Sequence, residues 1–449
     1  MSDATTTDLY EVTMALSYLR EGMTGPATFS LFVRHAPPNR GFLVAAGLES
    51  ALDHLSRLRV TAGDTAAFAA ALHRPHEDLV PLLDMSFTGD VWAVPEGRIV
   101  HPGEPLLEVT APLPQAQFVE TSLLNLVSHQ TAVASKAARC VIAAGGRPVV
   151  DFSLRRTHGL DAGAQAARLG GLVGFTATSN VAAATAYGLA ATGTMAHSYV
   201  EAFPDEESAF HAFARTHPGP VTFLVDTYDT EAGTATAARV LRRLGRGPGC
   251  GIRLDSGDLG DLAVRCRRIL DDAGLPEVRI VASGGLDEYA IDDLVRAQAP
   301  LDVFAVGTKV GVSADAPYLD SAYKLVAHDG VPVMKLSTAK VTSPGPKQVW
   351  RRRGIDDTVG VRDEDPPPRG EPLLRQVMAR GRRTADPDTL ENARRRFTAD
   401  LAELPPPARR IRGPVPPGVM TSARLARLTE RVRRHRIEHD LGTSPSTVR

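Results

Sequence analysis

The chain has 449 residues, 43% of them hydrophobic and 23% charged, with 51 basic side chains against 52 acidic ones. That length predicts two or three domains rather than one small core. A net charge of −1 gives bulk electrostatics nothing with which to hold nucleic acid or a membrane surface, and no apolar run approaches the ~20 residues of a membrane span.

The opening, MSDATTTDLYEV, has neither a basic start nor an apolar run, so no signal peptide is expected. Leu9, Val12, Met14, Leu16 and Leu19 then recur at roughly helical intervals, with Thr7 or Asp8 as the N-cap. ATFSLFVR (27–34) alternates like a strand. Residues 86–110 are rich in turns and β-formers and read as a small antiparallel unit. Residues 117–145 read as a long amphipathic helix ending at Gly145 and Gly146.

The texture changes from there. Short apolar runs follow one another, each ending in polar or glycine-rich residues before a helical pattern. The ends fall near Asp151, Ser179, His197, Asp226, Asp255, Ser283 and Gly307, at steps of 18 to 29 residues. That rhythm predicts consecutive βα units, seven in a row, closing into a (β/α) barrel or a large doubly wound sheet. In such folds ligands bind at the carboxyl ends of the strands, so motifs spread over about 150 residues would converge there. After residue 330 the pattern stops. Segments 331–353 and 358–365 read as β-structure with turns, 387–403 and 421–440 as helices, and the tail GTSPSTVR as disordered. The arginines of the C-terminal third alternate with acids and lack interleaved aromatics, which reads as a solvated helix face rather than an RNA surface. Cys140, Cys250 and Cys266 are too widely spaced for a metal or disulfide pattern and fit a reducing cytosol.

RLDSGDLGDLAVRC (253–266) sets Asp255 and Asp258 at a strand-to-helix junction, as helix caps or as ligands to sugar hydroxyls or a Mg²⁺-bound diphosphate. Arg253, ahead of them at a strand end, calls for an anionic partner. Gly284 and Gly285 precede a helix, and Gly307 with Thr308 does the same one unit later. Such turns let a phosphate approach backbone N–H groups. Arg155 and Arg156 are adjacent on an expected strand end, so only one can reach a site there. Asp226 and Asp229 read as caps or ligand groups. A lone histidine is usually structural, but His197 follows Thr194 at a strand end in the same ring as Asp226, Asp255 and Arg253, which favours chemistry.

In family order and spacing, TDLYEVTMA (7–15), TSNVAA, GTMAHSYV, LVDTYDT, GIRLDSGDL, SGGLDE and VGTKV resemble the nicotinate phosphoribosyltransferase family, a type II phosphoribosyltransferase family. The resemblance runs to KLSTAKVTSPGPKQVWR (335–351) and more weakly to about residue 430. It implies an irregular (β/α) barrel domain packed against an α/β domain built from both chain ends. The implied parts are 1–145, 146–330 and a returning segment 331–449. It also implies a cytoplasmic homodimer with sites at the interface. The implied reaction joins nicotinate to 5-phosphoribosyl-1-diphosphate (PRPP), giving nicotinate mononucleotide and pyrophosphate, with ATP hydrolysis coupled through phosphorylation of His197. This is the first step of NAD salvage from nicotinic acid.

By the same resemblance Tyr10 stacks on the pyridine from the other subunit, and Arg155 and Arg253 meet the carboxylate with Thr194 nearby. Asp226 and Asp255 act near the ribose and the diphosphate–Mg²⁺. Asp258, Gly284, Gly285, Gly307 and Thr308 belong to the PRPP phosphates. Mg²⁺ enters with the PRPP diphosphate. Nicotinamide-using relatives carry an acid where this chain has Ser179, and an acid there would repel a carboxylate, so Ser179 favours nicotinate. Ser153 and Ala327 depart from the family pattern, at positions that carry no chemistry. The competing readings are a nicotinamide or quinolinate phosphoribosyltransferase and a non-catalytic nucleotide-binding relative. The whole assignment requires His197 to lie within about 10 Å of the Arg253–Asp258 turn.

Overall fold

The computed structural model describes residues 2–336 and 342–440. Five residues of the expected β-segment 331–353 and the tail GTSPSTVR lie outside the described residues. Two compact units emerge. One comprises Met1–Ala132, Tyr318–Arg410 and Pro414–Arg449, and the other Val133–Pro317 with Ile411–Gly413.

These boundaries differ from those expected at 145/146 and 330/331. The first cut falls inside the helix Glu120–Ala143, which runs unbroken where a linker was expected. The last falls before the strand Ser321–His328, whose antiparallel ladder with Pro26–Val33 binds it to the first unit. Ile411–Gly413 joins the second unit because Arg139 donates to the Ile411 carbonyl at 2.7 Å and Arg412 pairs with Asp292.

The first unit is built on a seven-stranded antiparallel sheet. Its order is Val331–Pro332, Ser321–His328, Pro26–Val33, Pro105–Pro112, Asp90–Ala93, Arg375–Ala379 and Arg382–Arg383. Pro26–Val33 is a central strand buried on both faces rather than the half-exposed strand its alternation suggests. Ser30 and Glu108 are therefore fully buried. The Glu108 carboxylate is balanced by Lys347 and Arg362, the compensation a buried charge requires. A second sheet of four strands includes Lys347–Arg352 and Asp356–Val361. The N-terminal helix spans Leu9–Arg20 with Asp8 at the N-cap.

The second unit is a curled parallel half-barrel of six strands: β1 (Val149–Asp151), β2 (Ala177–Thr178), β3 (Thr222–Leu224), β4 (Gly251–Leu254), β5 (Arg279–Ala282) and β6 (Val303–Val306). Their spatial order is β2-β1-β6-β5-β4-β3. Ile252, Leu254, Ile280, Ala282, Phe304 and Val306 are all fully buried, as near-continuous apolar runs in a parallel sheet demand. Helices on the crossovers start at side-chain caps: Asn180, Asp205, Asp229, Asp258 and Asp287 each accept from a backbone N–H of the following turn.

Seven strands were expected and six form. The segment ATGTMAH contributes only an isolated parallel bridge between Ala191 and Thr178, with Thr192 N–H donating to the Thr178 carbonyl at 2.9 Å. Gly193 interrupts the run, and glycine disfavours an extended ladder. His197 accordingly begins a short helix, His197–Glu201, instead of ending a strand.

Candidate active site

Because all six strands of the half-barrel run parallel, their carboxyl ends share one rim. Four side chains there form a connected cluster. Arg253 is the penultimate residue of β4, and Asp255 follows the strand. Two residues apart in extended chain, they point to the same side, and Arg253 Nη2 donates to Asp255 Oδ1 at 2.8 Å. Ser283, just past β5, accepts from Arg253 Nε at 2.8 Å and lies within hydrogen-bonding reach of Asp255 Oδ1. Arg253 Nη1 donates to Thr194 Oγ1 at 2.9 Å. The Arg253 guanidinium also sits over the Phe152 ring, 5.5 Å from its centroid.

His197 is brought to this cluster. Its Nε2 lies 3.9 Å from Asp255 Oδ2, and its Nδ1 lies 3.2 Å from Thr227 Oγ1. The two segments expected to meet therefore do meet, well inside 10 Å. Asp226, two residues beyond β3, ties the neighbouring exits together. Its Oδ2 accepts from the Asp255 N–H at 3.0 Å and from Ser256 Oγ at 2.6 Å. Among the described residues its buried Oδ1 has no hydrogen-bond partner, which leaves a carboxylate oxygen suited to a cation or a hydroxyl.

Electrostatics follow from these contacts. Burial alone would raise the Asp255 carboxyl, but hydrogen bonds from Ser283 and Arg253, with the charges of Arg253 and His197, outweigh it. The group sits below the ordinary carboxylate range. Asp151, at the end of β1, goes the other way. Burial raises it despite hydrogen bonds from Ser153 N–H and Thr178 Oγ1.

The glycine turns take distinct forms. Gly284 has φ +89°, and a Cβ placed on it would stand 1.9 Å from the Asp255 carbonyl oxygen, so two strand exits touch through backbone. Gly285 has φ +72° with open space around it. Gly307 packs against the Phe152 carbonyl and leads into the short helix Thr308–Gly311. Lys309 in that turn pairs with Asp287, the cap of the preceding helix. Between the strands a cavity of about 750 Å³ is lined by Val150, Phe152, Thr194, Cys250, Arg279 and Val281, among others.

Other expected residues stand apart from the cluster. Arg155 and Arg156 lie on a one-turn 3₁₀ helix, Leu154–Arg156, rather than on a strand. Both are exposed, and among the described residues neither has an ion-pair partner. Ser179 follows β2 and donates its N–H to the Asp151 carbonyl at 2.9 Å. Of the two readings open for Asp258, the structure shows the cap: its Oδ1 accepts from Gly260 and Asp261 N–H groups. Asp229 caps the next helix in the same way. Tyr10 belongs to the other unit, on Leu9–Arg20, with 45% of its surface exposed. Burial and the nearby carboxylates of Glu120, Glu11 and Asp8 raise its hydroxyl's pKa. Ser283, Phe152 and Thr227 carried no expectation as site residues. The position of Ser283 at a strand end was the only available signal.

A half-barrel with carboxylates, a guanidinium, an imidazole and glycine turns gathered on its carboxyl rim is the build of an α/β enzyme acting on small anionic substrates. Comparison with known proteins narrows this. Residues 5–128 match the nicotinate phosphoribosyltransferase (NAPRTase) N-terminal domain, and residues 148–358 match the nicotinate phosphoribosyltransferase (NAPRTase) family. The chain is 47% identical over 411 residues to nicotinate phosphoribosyltransferase pncB2 of Mycobacterium tuberculosis, covering 90% of this chain and 88% of that one. It is 43% identical to nicotinate phosphoribosyltransferase of Bacillus subtilis, covering 77% and 72%. The crystal structure of human nicotinic acid phosphoribosyltransferase superposes with a TM-score of 0.82 at 30% identity, covering 95% of this chain and 99% of that one. The chain belongs to the nicotinate phosphoribosyltransferase family.

Proposed function

We propose that this chain is a nicotinate phosphoribosyltransferase that couples synthesis of nicotinate mononucleotide to ATP hydrolysis. The observation that carries the reading is the rim cluster, in which Arg253, Thr194, Asp255 and His197 stand within 4 Å of their neighbours in the network. A guanidinium already held at a strand exit suits the pyridine carboxylate. Phe152 beneath it supplies an aromatic wall, and Tyr10, exposed on its helix, supplies a second from the partner subunit of a homodimer. Ser179 offers a neutral hydroxyl where an acid would repel nicotinate.

In the chemical step the C1–oxygen bond of PRPP breaks with its electron pair leaving on pyrophosphate, and the pyridine nitrogen lone pair forms the new C1–N bond. Positive charge grows on the ribose as the bond breaks. Asp255, held ionised by its neighbours, and Asp226 stabilise it. A Mg²⁺ ion carried on the diphosphate would neutralise the leaving group. The unpartnered Oδ1 of Asp226 supports a cation on that side of the rim. The Gly284–Gly285 and Gly307–Thr308 turns hold the 5-phosphate.

His197 takes the γ-phosphoryl of ATP, releasing ADP, and water later cleaves the P–N bond to give phosphate. Nicotinate, PRPP, ATP and water thus become nicotinate mononucleotide, pyrophosphate, ADP and phosphate, and the hydrolysis of the phosphohistidine draws the synthesis forward. Three free cysteines and no helix, among the described residues, able to cross a membrane accord with a cytoplasmic enzyme of NAD salvage. The deciding experiment is incubation with nicotinate, PRPP, Mg²⁺ and ATP, scored by chromatography. Nicotinate mononucleotide and ADP formed together support the reading. Nucleotide formed from nicotinamide or quinolinate but not from nicotinate overturns it.

A further inference from the structure

Ser283 is 3% exposed, on the exit of β5, and its hydroxyl stands between the two charged groups of the neighbouring exit. It accepts from Arg253 Nε at 2.8 Å and faces Asp255 Oδ1, which also takes Arg253 Nη2 at 2.8 Å. Among the described residues, the Leu254 carbonyl, 3.1 Å away, is the other acceptor within reach of that hydroxyl. A hydroxyl has one proton to give, and the carboxylate is the stronger acceptor. Arginine beside a carboxylate ordinarily closes a two-bond fork, with Nε and one terminal nitrogen on the two oxygens. Here that fork is not made. Ser283 occupies Nε, only one direct bond joins the pair, and Nη1 is turned to Thr194 Oγ1 and the Met195 carbonyl.

We propose that Ser283 is a positioning residue for substrate selection: by occupying Nε it keeps Arg253 from closing a second bond on Asp255 and holds the guanidinium open toward the Thr194 side, where the carboxylate of the pyridine acid binds. The inference rests on the reading of Arg253 as the carboxylate-binding group. Without the hydroxyl, Nε and Nη2 close on Asp255, Nη1 leaves Thr194, and the anion loses its partner. PRPP, held by the glycine turns, keeps its contacts.

The test is steady-state kinetics with both substrates varied, on Ser283→Ala, Ser283→Cys, Ser283→Thr and Arg253→Gln. Cysteine keeps the volume of the buried side chain but is a poor hydrogen-bonding group, so it guards against a packing defect in the alanine variant. The expected result is a rise of about tenfold in the nicotinate KM for Ala and Cys, the scale of one lost charge-assisted bond. The PRPP KM moves less than about twofold, and Thr restores the nicotinate KM. Equal rises in both KM values, or no rise in either variant, overturn the proposal. Arg253→Gln separates the two failures. If it raises the nicotinate KM while Ser283→Ala does not, only the role of Ser283 falls. If it leaves the nicotinate KM unchanged, the reading of Arg253 falls with it.

Discussion

His197 presents its two ring nitrogens to different strand exits: Nε2 lies 3.9 Å from Asp255 Oδ2, and Nδ1 lies 3.2 Å from Thr227 Oγ1. The imidazole is 41% exposed on its side chain and so remains reachable from solvent. It is thus oriented by neighbours and open to solvent; in the proposed reaction it serves the phosphoryl relay, and the glycosyl transfer falls to Arg253 and Asp255.

From this separation of tasks, His197→Ala is expected to abolish ATP coupling and leave slow PRPP-dependent synthesis. Counting ADP and nicotinate mononucleotide in the same reaction checks it. A variant whose synthesis is still stimulated by ATP to the wild-type extent would remove His197 from the phosphate relay.

Ser179→Asp places a carboxylate against the incoming one. Nicotinate binding should weaken by about 1–3 kcal/mol, roughly 5- to 150-fold in KM. Nicotinamide should gain relative to nicotinate, because an aspartate can accept from its amide. An unaltered ratio of kcat/KM for the two pyridines would exclude Ser179 from the ring-binding side of the rim.

Gly284→Ala and Gly285→Ala test the phosphate turn against each other. Both glycines have positive φ, which costs a side chain about 1–2 kcal/mol. Only Gly284 has a backbone oxygen where its Cβ would go, at 1.9 Å. The exits of β4 and β5 must then move apart, so Gly284→Ala should lower Tm by several degrees more and raise the PRPP KM. Thermal melts that rank the two variants equally would contradict the close approach.

His101 gives the first unit a dependence on pH. The residue is 2% exposed, and among the described residues neither ring nitrogen has a hydrogen-bond partner. Burial pushes the imidazole down to about 4; Asp357 and Asp400 oppose this, and Arg351 reinforces it. The unfolded value is about 6.5. The folded state therefore binds fewer protons between these values, and the stability is fully present above about pH 6.5 and declines as pH falls toward 4. The loss reaches about 3 kcal/mol, at 1.36 kcal/mol per pKa unit. His101→Leu should flatten the fall of Tm between pH 6.5 and 4.5. A wild-type slope in that variant would place the acid sensitivity elsewhere; Glu104, whose carboxyl burial raises, acts in the opposite direction, because the folded state then binds its proton more tightly.

The sequence made much of this rim visible. Parallel strands that must be buried leave polar residues only at their ends, so Arg253, Asp255 and Asp226 stood out against apolar runs. Asp258 did too, but the same pattern serves helix capping, and the chain alone could not separate the two uses. Ser283 was invisible as a site residue because a serine after a strand is common. Only the approach of β5 to β4 reveals the wedge. The first domain boundary was missed for a related reason. Gly145 and Gly146 mark the end of a helix, but contacts made by Lys136 and Arg139 with Glu288 had already drawn its second half into the half-barrel unit. The seventh strand failed because periodicity does not register that Gly193 breaks a run.

The vacancy left by that strand matters for how the protein works. Forty-three residues connect Thr178 to Thr222, and the stretch that carries the imidazole meets the sheet through one backbone bridge at Ala191 and through the hydrogen bonds that the Arg253 side chain donates to Thr194 and the Met195 carbonyl. Segments with few ladder bonds open at a fraction of the global free energy. Amide exchange should therefore be faster over 190–197 than along β4 or β5. In the proposed reaction, such opening lets the histidine reach a triphosphate while β4 and β5 keep the rim in place.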